Sequence, residues 1–332
     1  MIEIDGSRGE GGGQLTRYAL ILSTITQKPI HIFNIRKGRK ETGLKHQHLY
    51  AIKALQKLAD ARAENVFLGS EEIKYYPGKI KGGNIKIDIE TAGSITLLIQ
   101  NILIPSLFAE KQTRLSITGG TDVSWSPQID YLNNLIIPFF RQYSKNIHLN
   151  ILKRGYYPKG NGKVELVITP KKLNLEQINL TKKPVIEEIL GISHCSESLR
   201  KPEVADRQAI MAKSILDEYK TKVSREYCDT LSDGSGITLW IKDSFIGVDV
   251  LGARGKRAEI VGKEAAENLL KEINSGAVVD RHLIDNIIPL LGLMKGTVKT
   301  SEITEHTKTA IWVCGQFLDV KFKIENNTIS CE

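Results

Sequence analysis

Three stretches of the chain share one pattern: an apolar helical run with Asn or Asp on its polar side and a proline about two turns in. They cover residues 99–108, 132–140 and 283–291, with Pro105, Pro138 and Pro289 at matching places. Each leads through a polar turn to residues that predict a strand, at 114–118, 146–151 and 297–303. Self-similar units stack to share a core, so these read as repeats. The first two prolines lie 33 residues apart and the third 151 further on, which implies an insertion.

The intervening residues read as a unit of their own. A strand is predicted at 184–194 and a helix at 202–219, with Pro202 at its start and Val204, Ile210, Met211, Ile215 and Tyr219 as its apolar residues. Strands at 221–230, 237–241 and 245–251 follow. A helix at 262–273 then places Ala265, Ala266, Leu269, Leu270 and Ile273 on one face and stops at Gly276. The expected architecture is an α/β (α+β) fold with a larger body, residues 1–183 and 276–332, and a small α/β insert, residues 184–275.

Composition narrows the class. The 332 residues are 41% apolar and 25% charged, as in an ordinary globular protein. Cys195, Cys228, Cys314 and Cys331 form no Cys-x-x-Cys pair, which argues against structural zinc and fits a reducing cytosol. A Cys314–Cys331 bridge stays open. The N-terminus lacks the basic start and apolar run of a signal peptide. The most apolar stretch, 95–109, is broken by Gln100, Asn101 and Pro105 and is too short to span a bilayer. These features predict a soluble cytoplasmic protein with no membrane partner. The oligomeric state is left open, a homodimer among the options. A net charge of +8 favours polyanionic partners, while 6% aromatics argues against extensive base stacking and for a grip on one phosphate end.

Three segments carry candidate chemistry. The first is Asp5-Gly6-Ser7-Arg8-Gly9-Glu10-Gly11-Gly12-Gly13-Gln14, directly before a helical run with Leu15, Tyr18, Leu22 and Ile25 on one face. Backbone N–H groups at such a helix start can hold an anion. The segment matches neither a Walker A loop nor a dinucleotide fingerprint. Glu10 among the glycines makes sense if a Mg²⁺ lies between it and phosphate oxygens; the other reading is a tight turn needing positive φ. The second segment, Arg36, Lys37, Arg39, Lys40 and then Lys45-His46-Gln47-His48, bridges a predicted strand at 30–35 and a helix at 47–58. It reads either as a clamp on a terminal phosphate or as a solvated basic loop. In the third, residues 310–313 look strand-like and place His306 in the polar turn at the strand's entrance. Neutral imidazole is a competent nucleophile toward phosphorus near pH 7.

Taken together the motifs resemble the RNA 3′-terminal phosphate cyclase family. The residues that carry the likeness are Gly9-Glu10-Gly11-Gly12-Gly13-Gln14, Ile35-Arg36-x-x-Arg39, Gly43-Leu44-x-x-Gln47-His48-Leu49 and Gly119-Gly120-Thr121-Asp122. Arg154-Gly155-Tyr156-Tyr157-Pro158-x-Gly160-x-Gly162, His282-Leu283-x-Asp285 and Glu305-His306-Thr307-x-Thr309 continue it in collinear order. The resemblance implies three βαβαββ-like repeats related to the enolpyruvyl transferases, with the insert in the last. It implies ATP-dependent conversion of RNA 3′-phosphate ends to 2′,3′-cyclic phosphates through AMP carried on His306. ATP contacts fall on Gln100, Pro127, Tyr131, His282, Leu283, Ile284, Asp285 and Asn286, with Asp285 suited to the ribose hydroxyls. Glu10 would hold Mg²⁺ or Mn²⁺, and Arg17, Arg36, Arg39, Gln47 and His48 the phosphates or the RNA end. Asn286 departs from the Gln often found in the family. Two other classes share the fold: cyclase-like ribosome-biogenesis proteins, which lack the nucleophilic histidine, and the enolpyruvyl transferases themselves. The Glu305-His306-Thr307 setting and the collinear motifs argue against both.

Overall fold

The computed structural model describes residues 1–9, 11–172 and 176–332. Alternating isoleucines build the first sheet. Strands β1 (Ile2–Asp5) and β2 (Ile30–Phe33) pair in parallel with Ile4 opposite Ile32. Helix α1 (Gly13–Thr26) crosses between them, and α2 (His46–Ala59) leads to β3 (Arg62–Glu64) and β4 (Ile73–Tyr76). The order is β1-β2-β4-β3, with β4 antiparallel to both neighbours.

The second sheet uses the same order, β5-β6-β8-β7. Here β5 (Gly83–Asp88) and β6 (Thr113–Gly119) are parallel around α3 (Ile95–Leu107). The next helical run starts as α4 (Ile129–Tyr131), widens to a π-turn over Leu132–Ile136 and resumes as α5 (Ile137–Arg141). Pro138 has no N–H to donate to the preceding turn, which is where an α-helix gives way to such a bulge. Strands β7 (Ser144–Lys153) and β8 (Gly162–Pro170) complete the sheet.

Strand β9 (Ile178–Leu180) opens another sheet, but the chain first builds a separate one from β10 (Ile189–Ser196), β11 (Thr221–Cys228), β12 (Ser235–Ile241) and β13 (Gly247–Leu251). Helices α6 (Val204–Ile215) and α7 (Ala258–Asn274) pack on it around a core that includes Ile189, Leu239, Ile241, Val261 and Leu269. After α8 (Leu283–Met294), β14 (Gly296–Lys299) pairs with β9 in parallel; α9 (Glu305–Phe317), β15 (Phe322–Glu325) and β16 (Thr328–Cys331) follow. That sheet reads β9-β14-β16-β15, the order of the first two. One apolar core runs through all three of these sheets and their helices.

Four expectations change. Residues 310–313 are helical, within α9. The Thr304 side chain accepts from the Thr307 N–H and caps the helix, and Ala310, Val313, Cys314 and Phe317 are buried at helical spacing. A four-residue apolar window cannot distinguish the two periods. Helix α6 buries Ala205, Gln208, Ala209 and Ala212, while Ile210 is 58% exposed. Small residues face inward there because α7 comes very close. The strand read at 184–194 starts only at Ile189, and the one at 297–303 ends at Lys299. All four cysteines are free, so Cys314 and Cys331 are not bridged. Among the described residues no helix is long and apolar enough to cross a membrane.

The α6–α7 contact gives a stability test. A Cβ on Gly262 would lie 2.1 Å from the Gln208 carbonyl oxygen, a backbone atom that moves only with its helix. The gain in helix propensity from Gly262→Ala, up to about 1 kcal/mol, is outweighed by overpacking of about 1–3 kcal/mol. The melting temperature should fall by several degrees when followed by circular dichroism; an unchanged value would mean that the helices part freely.

Candidate active site

Helix N-termini meet around His306. It is the second residue of α9, beside the Thr304 cap. Gln14 in the first turn of α1 donates its amide to the His306 carbonyl at 2.8 Å. One turn on, the Tyr18 hydroxyl donates to the Asp285 carbonyl in the first turn of α8 at 2.6 Å. On the other side of α1, the His48 ring from the start of α2 lies where a side chain on Gly13 would have to go: a Cβ there would fall 2.1 Å from Nε2. Four helix starts, each with unpaired N–H groups and a positive end, thus share one place.

The glycine-rich loop is what lets them meet. Asp5 opens it: its Oδ1 accepts from the Ser7 N–H at 3.0 Å, the Ser7 hydroxyl at 2.7 Å and the Asn34 amide at 3.1 Å. These bonds hold its carboxyl below the usual range. Gly11 has φ of 56°, and a Cβ on it would meet the Gly38 backbone at 2.8 Å. Both the tight turn and the close approach are therefore present. Gly12 rests against the Arg39 guanidinium, and Gly9 against Thr309 of α9. Glu10, the residue expected to hold a metal ion, lies outside the described residues.

Asp285 ties α8 to α9. It is buried, and its Oδ1 accepts from Thr307 at 2.7 Å and Thr304 at 3.1 Å. Its Oδ2 faces His306 Nδ1 at 3.8 Å, beyond direct hydrogen-bond length. Burial pushes its pKa up to about 7, against the two threonine bonds and the Arg17 charge. The expected role toward ribose hydroxyls thus competes with this orienting role. Nothing in a strand-like reading of α9 pointed to Thr304 and Thr307, although a Thr-x-x-Thr cap signal was there to be read.

Arg17, Gln100 and Asn286 line one small cavity, no larger than a water molecule, with Tyr18, Leu103 and Phe140. Arg17 donates Nη1–H to Gln100 Oε1 at 2.6 Å, while its Nε is buried with no partner among the described residues. A buried guanidinium N–H without an acceptor is an unmet demand for an anion. On the rim, burial and the charges of Arg36, Arg17 and Lys45 push the His48 imidazolium down to about 3, so the ring is neutral. Its Nδ1 accepts from the Lys45 N–H, which leaves the proton on Nε2, aimed at the glycine-rich turn. Arg36 donates to the Gly43 carbonyl and stays close to Arg39.

Other expected contacts sit differently. Leu283 and Ile284 are fully buried core residues, so only their backbone is at the site. Tyr131 is 1% exposed, and its hydroxyl donates to Asp280 at 2.5 Å; its ring backs His282 edge-on. Asp280 also accepts from the N–H groups of His282 and Leu283 and so caps α8. Pro127 is partly exposed, fixed by Thr96 through its carbonyl. Gln47 accepts from the Ser94 N–H, at the start of α3.

Among the described residues, Asp122, Asp130 and His194 stand close enough to share a metal ion. Arg154 already serves the two carboxylates: its guanidinium lies 2.8 Å from Asp130 and 3.3 Å from Asp122, and also reaches Glu226 at 2.7 Å. His194 meets the Tyr156 hydroxyl with Nδ1 and Gln128 Oε1 with Nε2, so no lone pair is left for a metal. The cluster is a buried ion network.

The raised Asp285 pKa has a measurable consequence. A carboxyl whose pKa rises on folding holds a proton that the unfolded chain has lost, so it reduces stability as pH climbs from about 4 toward 7. Asp285→Asn keeps an oxygen for both threonines. It should gain roughly 1–3 kcal/mol on the wild type between pH 4.5 and 7.5, read from urea melts. A pH-independent difference would show an ordinary carboxylate.

Residues 8–324 match the family described as RNA 3′-terminal phosphate cyclase. A protein of that name from Archaeoglobus fulgidus is 43% identical over 333 residues, covering 99% of each chain. One from Methanococcoides burtonii is 47% identical over 98% of this chain and 97% of its own. One from Pyrococcus furiosus is 43% identical over 98% and 95%. The small cavity, the histidine at a helix start and the basic rim thus occur in a chain that belongs to the RNA 3′-terminal phosphate cyclase family.

Proposed function

We propose that this chain uses ATP to convert RNA 3′-phosphate ends into 2′,3′-cyclic phosphates, with His306 as the group that carries AMP. The observation that supports it most is the position of His306 at a helix start, with Nδ1 facing buried Asp285 at 3.8 Å. With Nδ1 turned to Asp285, Nε2 is the attacking nitrogen. It forms a P–N bond to the α-phosphorus of ATP and displaces pyrophosphate. Asp285 stabilises the charge that develops on the ring, as a carboxylate does behind a working histidine. An oxygen of the RNA 3′-phosphate then attacks the same phosphorus, breaks the P–N bond and returns the electron pair to His306. The RNA now ends in a 3′,5′-diphosphate link to adenosine. The vicinal 2′-hydroxyl loses its proton, attacks the 3′-phosphorus and expels AMP.

In this reading Gln100 and Asn286 contact the nucleotide, and Arg36, Arg39 and His48 hold the RNA end. Helix starts and Arg17 offset phosphate charge as it moves. Mg²⁺ or Mn²⁺ at Glu10 would add further charge compensation when bound. The body of residues 1–183 and 276–332 carries the chemistry, and residues 184–275 form the insert.

Incubation with α-labelled ATP should label the protein through a bond stable to alkali and broken by acid, as phosphoramidates are. His306→Ala should lose the label while melting at the wild-type temperature. Labelling at the wild-type level in that variant rules out His306 as the carrier.

Glu10→Gln separates the two readings of the glycine-rich turn. If a divalent ion bridges Glu10 to phosphate, the variant should be slow and partly recover in high Mg²⁺ or Mn²⁺. A structural cap would instead lower stability with no metal rescue. Wild-type rate and metal titration in the variant remove the metal role.

A further inference from the structure

Trp125 is 95% exposed, the most exposed large apolar side chain among the described residues, and its backbone has φ of 67°. A bulky residue held in that conformation is strained and persists only where the surroundings fix it. Tyr157 is 75% exposed and Leu231 51%. These three lie on adjoining loops. The Thr121 and Asp122 N–H groups both point to the Gly155 carbonyl, and Asp122 bridges to Tyr156, placing the loops of Trp125 and Tyr157 side by side. The Lys159 N–H donates to Ser232, next to Leu231, and Gly234 rests on the Tyr156 ring.

The loops are rigid underneath. Asp122, Arg154 and Tyr156 belong to the buried network with His194 and Glu226, so the exposed rings stand on a fixed base. They are also continuous with the candidate active site. Trp125 precedes Pro127 by two residues. Gly160, at the end of the Tyr157 loop, packs on Ala92, and the same 91–94 loop is held by Gln47 at the start of α2. Lys159, two residues after Tyr157, and Lys163, at the start of β8, are exposed.

From this arrangement we propose that Trp125 and Tyr157 form a stacking site for single-stranded RNA just 5′ of the reacting end. The proposal rests on the RNA reading above. Flat rings on a preorganised, cationic rim suit bases of any sequence, because every base offers a π-face while the lysines follow the phosphates. Two rings take one or two bases, which matches an enzyme that must accept many RNA ends.

The test uses the full chain and two fluorescent 3′-phosphorylated ligands, a single nucleotide and a decamer, in anisotropy titrations. The wild type should bind the decamer more tightly. Trp125→Ala and Tyr157→Ala should each weaken decamer binding roughly ten-fold, leave mononucleotide binding unchanged and keep both the ATP label and the melting temperature. Trp125→Phe and Tyr157→Phe should restore most of the loss. Equal decamer affinity in variants and wild type overturns the proposal, as does a wild type that binds no decamer. Loss of the ATP label with decamer binding intact would assign Trp125 to the nucleotide instead. A wild-type dimer that the variants split in sedimentation would make the surface a contact between copies. Ring-dependent decamer binding by a wild type that takes no label would sink the cyclase reading and leave the stacking site standing.

Discussion

The geometry depends on bringing several helix starts to one place. Each carries about half a positive charge and unpaired N–H groups, so their meeting around His306 would be unfavourable without compensation. The chain supplies part of it: Asp280 caps α8, Asp285 joins α8 to α9 through two threonines, and Thr304 caps α9. The remainder is left unmet, most plainly at the buried Nε of Arg17. A place that is short of negative charge by construction is consistent with the phosphate-binding role proposed for it.

Glycine is what makes the crowding sterically feasible. Side chains on Gly12 and Gly13 would occupy the space of Arg39 and His48, so the loop brings α1 against the basic segment only because it has none. Neutral His48 then adds a directed N–H donor to an already positive rim. A histidine that titrated there near pH 7 would change the charge of the rim with pH; burial and the nearby cations keep His48 neutral.

Much of this was legible in the chain, and unevenly so. Long apolar periods foretold α3, α8 and α7 because a helical face repeats often enough to be recognised. Helix α9 is not, since residues 310–313 fit either period. Residues whose constraint lies within their own segment, such as Gly11 with its positive φ and His48 with its bond from the Lys45 N–H, stand in runs that could be named in advance. What sequence spacing could not convey were partners far apart in the chain: Arg17 with Gln100, Tyr18 with Asp285, Arg154 with Glu226. Leu283 and Ile284 show the converse, since a motif names a run of residues while folding buries the side chains of some of them in the core.

The sheet of β10 to β13 has its own apolar core, and by that measure it looks like a module that could be cut out and the ends rejoined. Its electrostatics say otherwise. Glu226 is one of the three acids around Arg154, Asp249 accepts the Gln128 N–H, and His194 fills the space between Gln128 and Tyr156. Excision would leave the Gln128 amide without an acceptor, and the bed beneath Pro127 and Tyr131 open to water. A chain lacking this segment would need a different polar floor there, so Asp122, Gln128 and Arg154 suit the larger body only while the segment is in place.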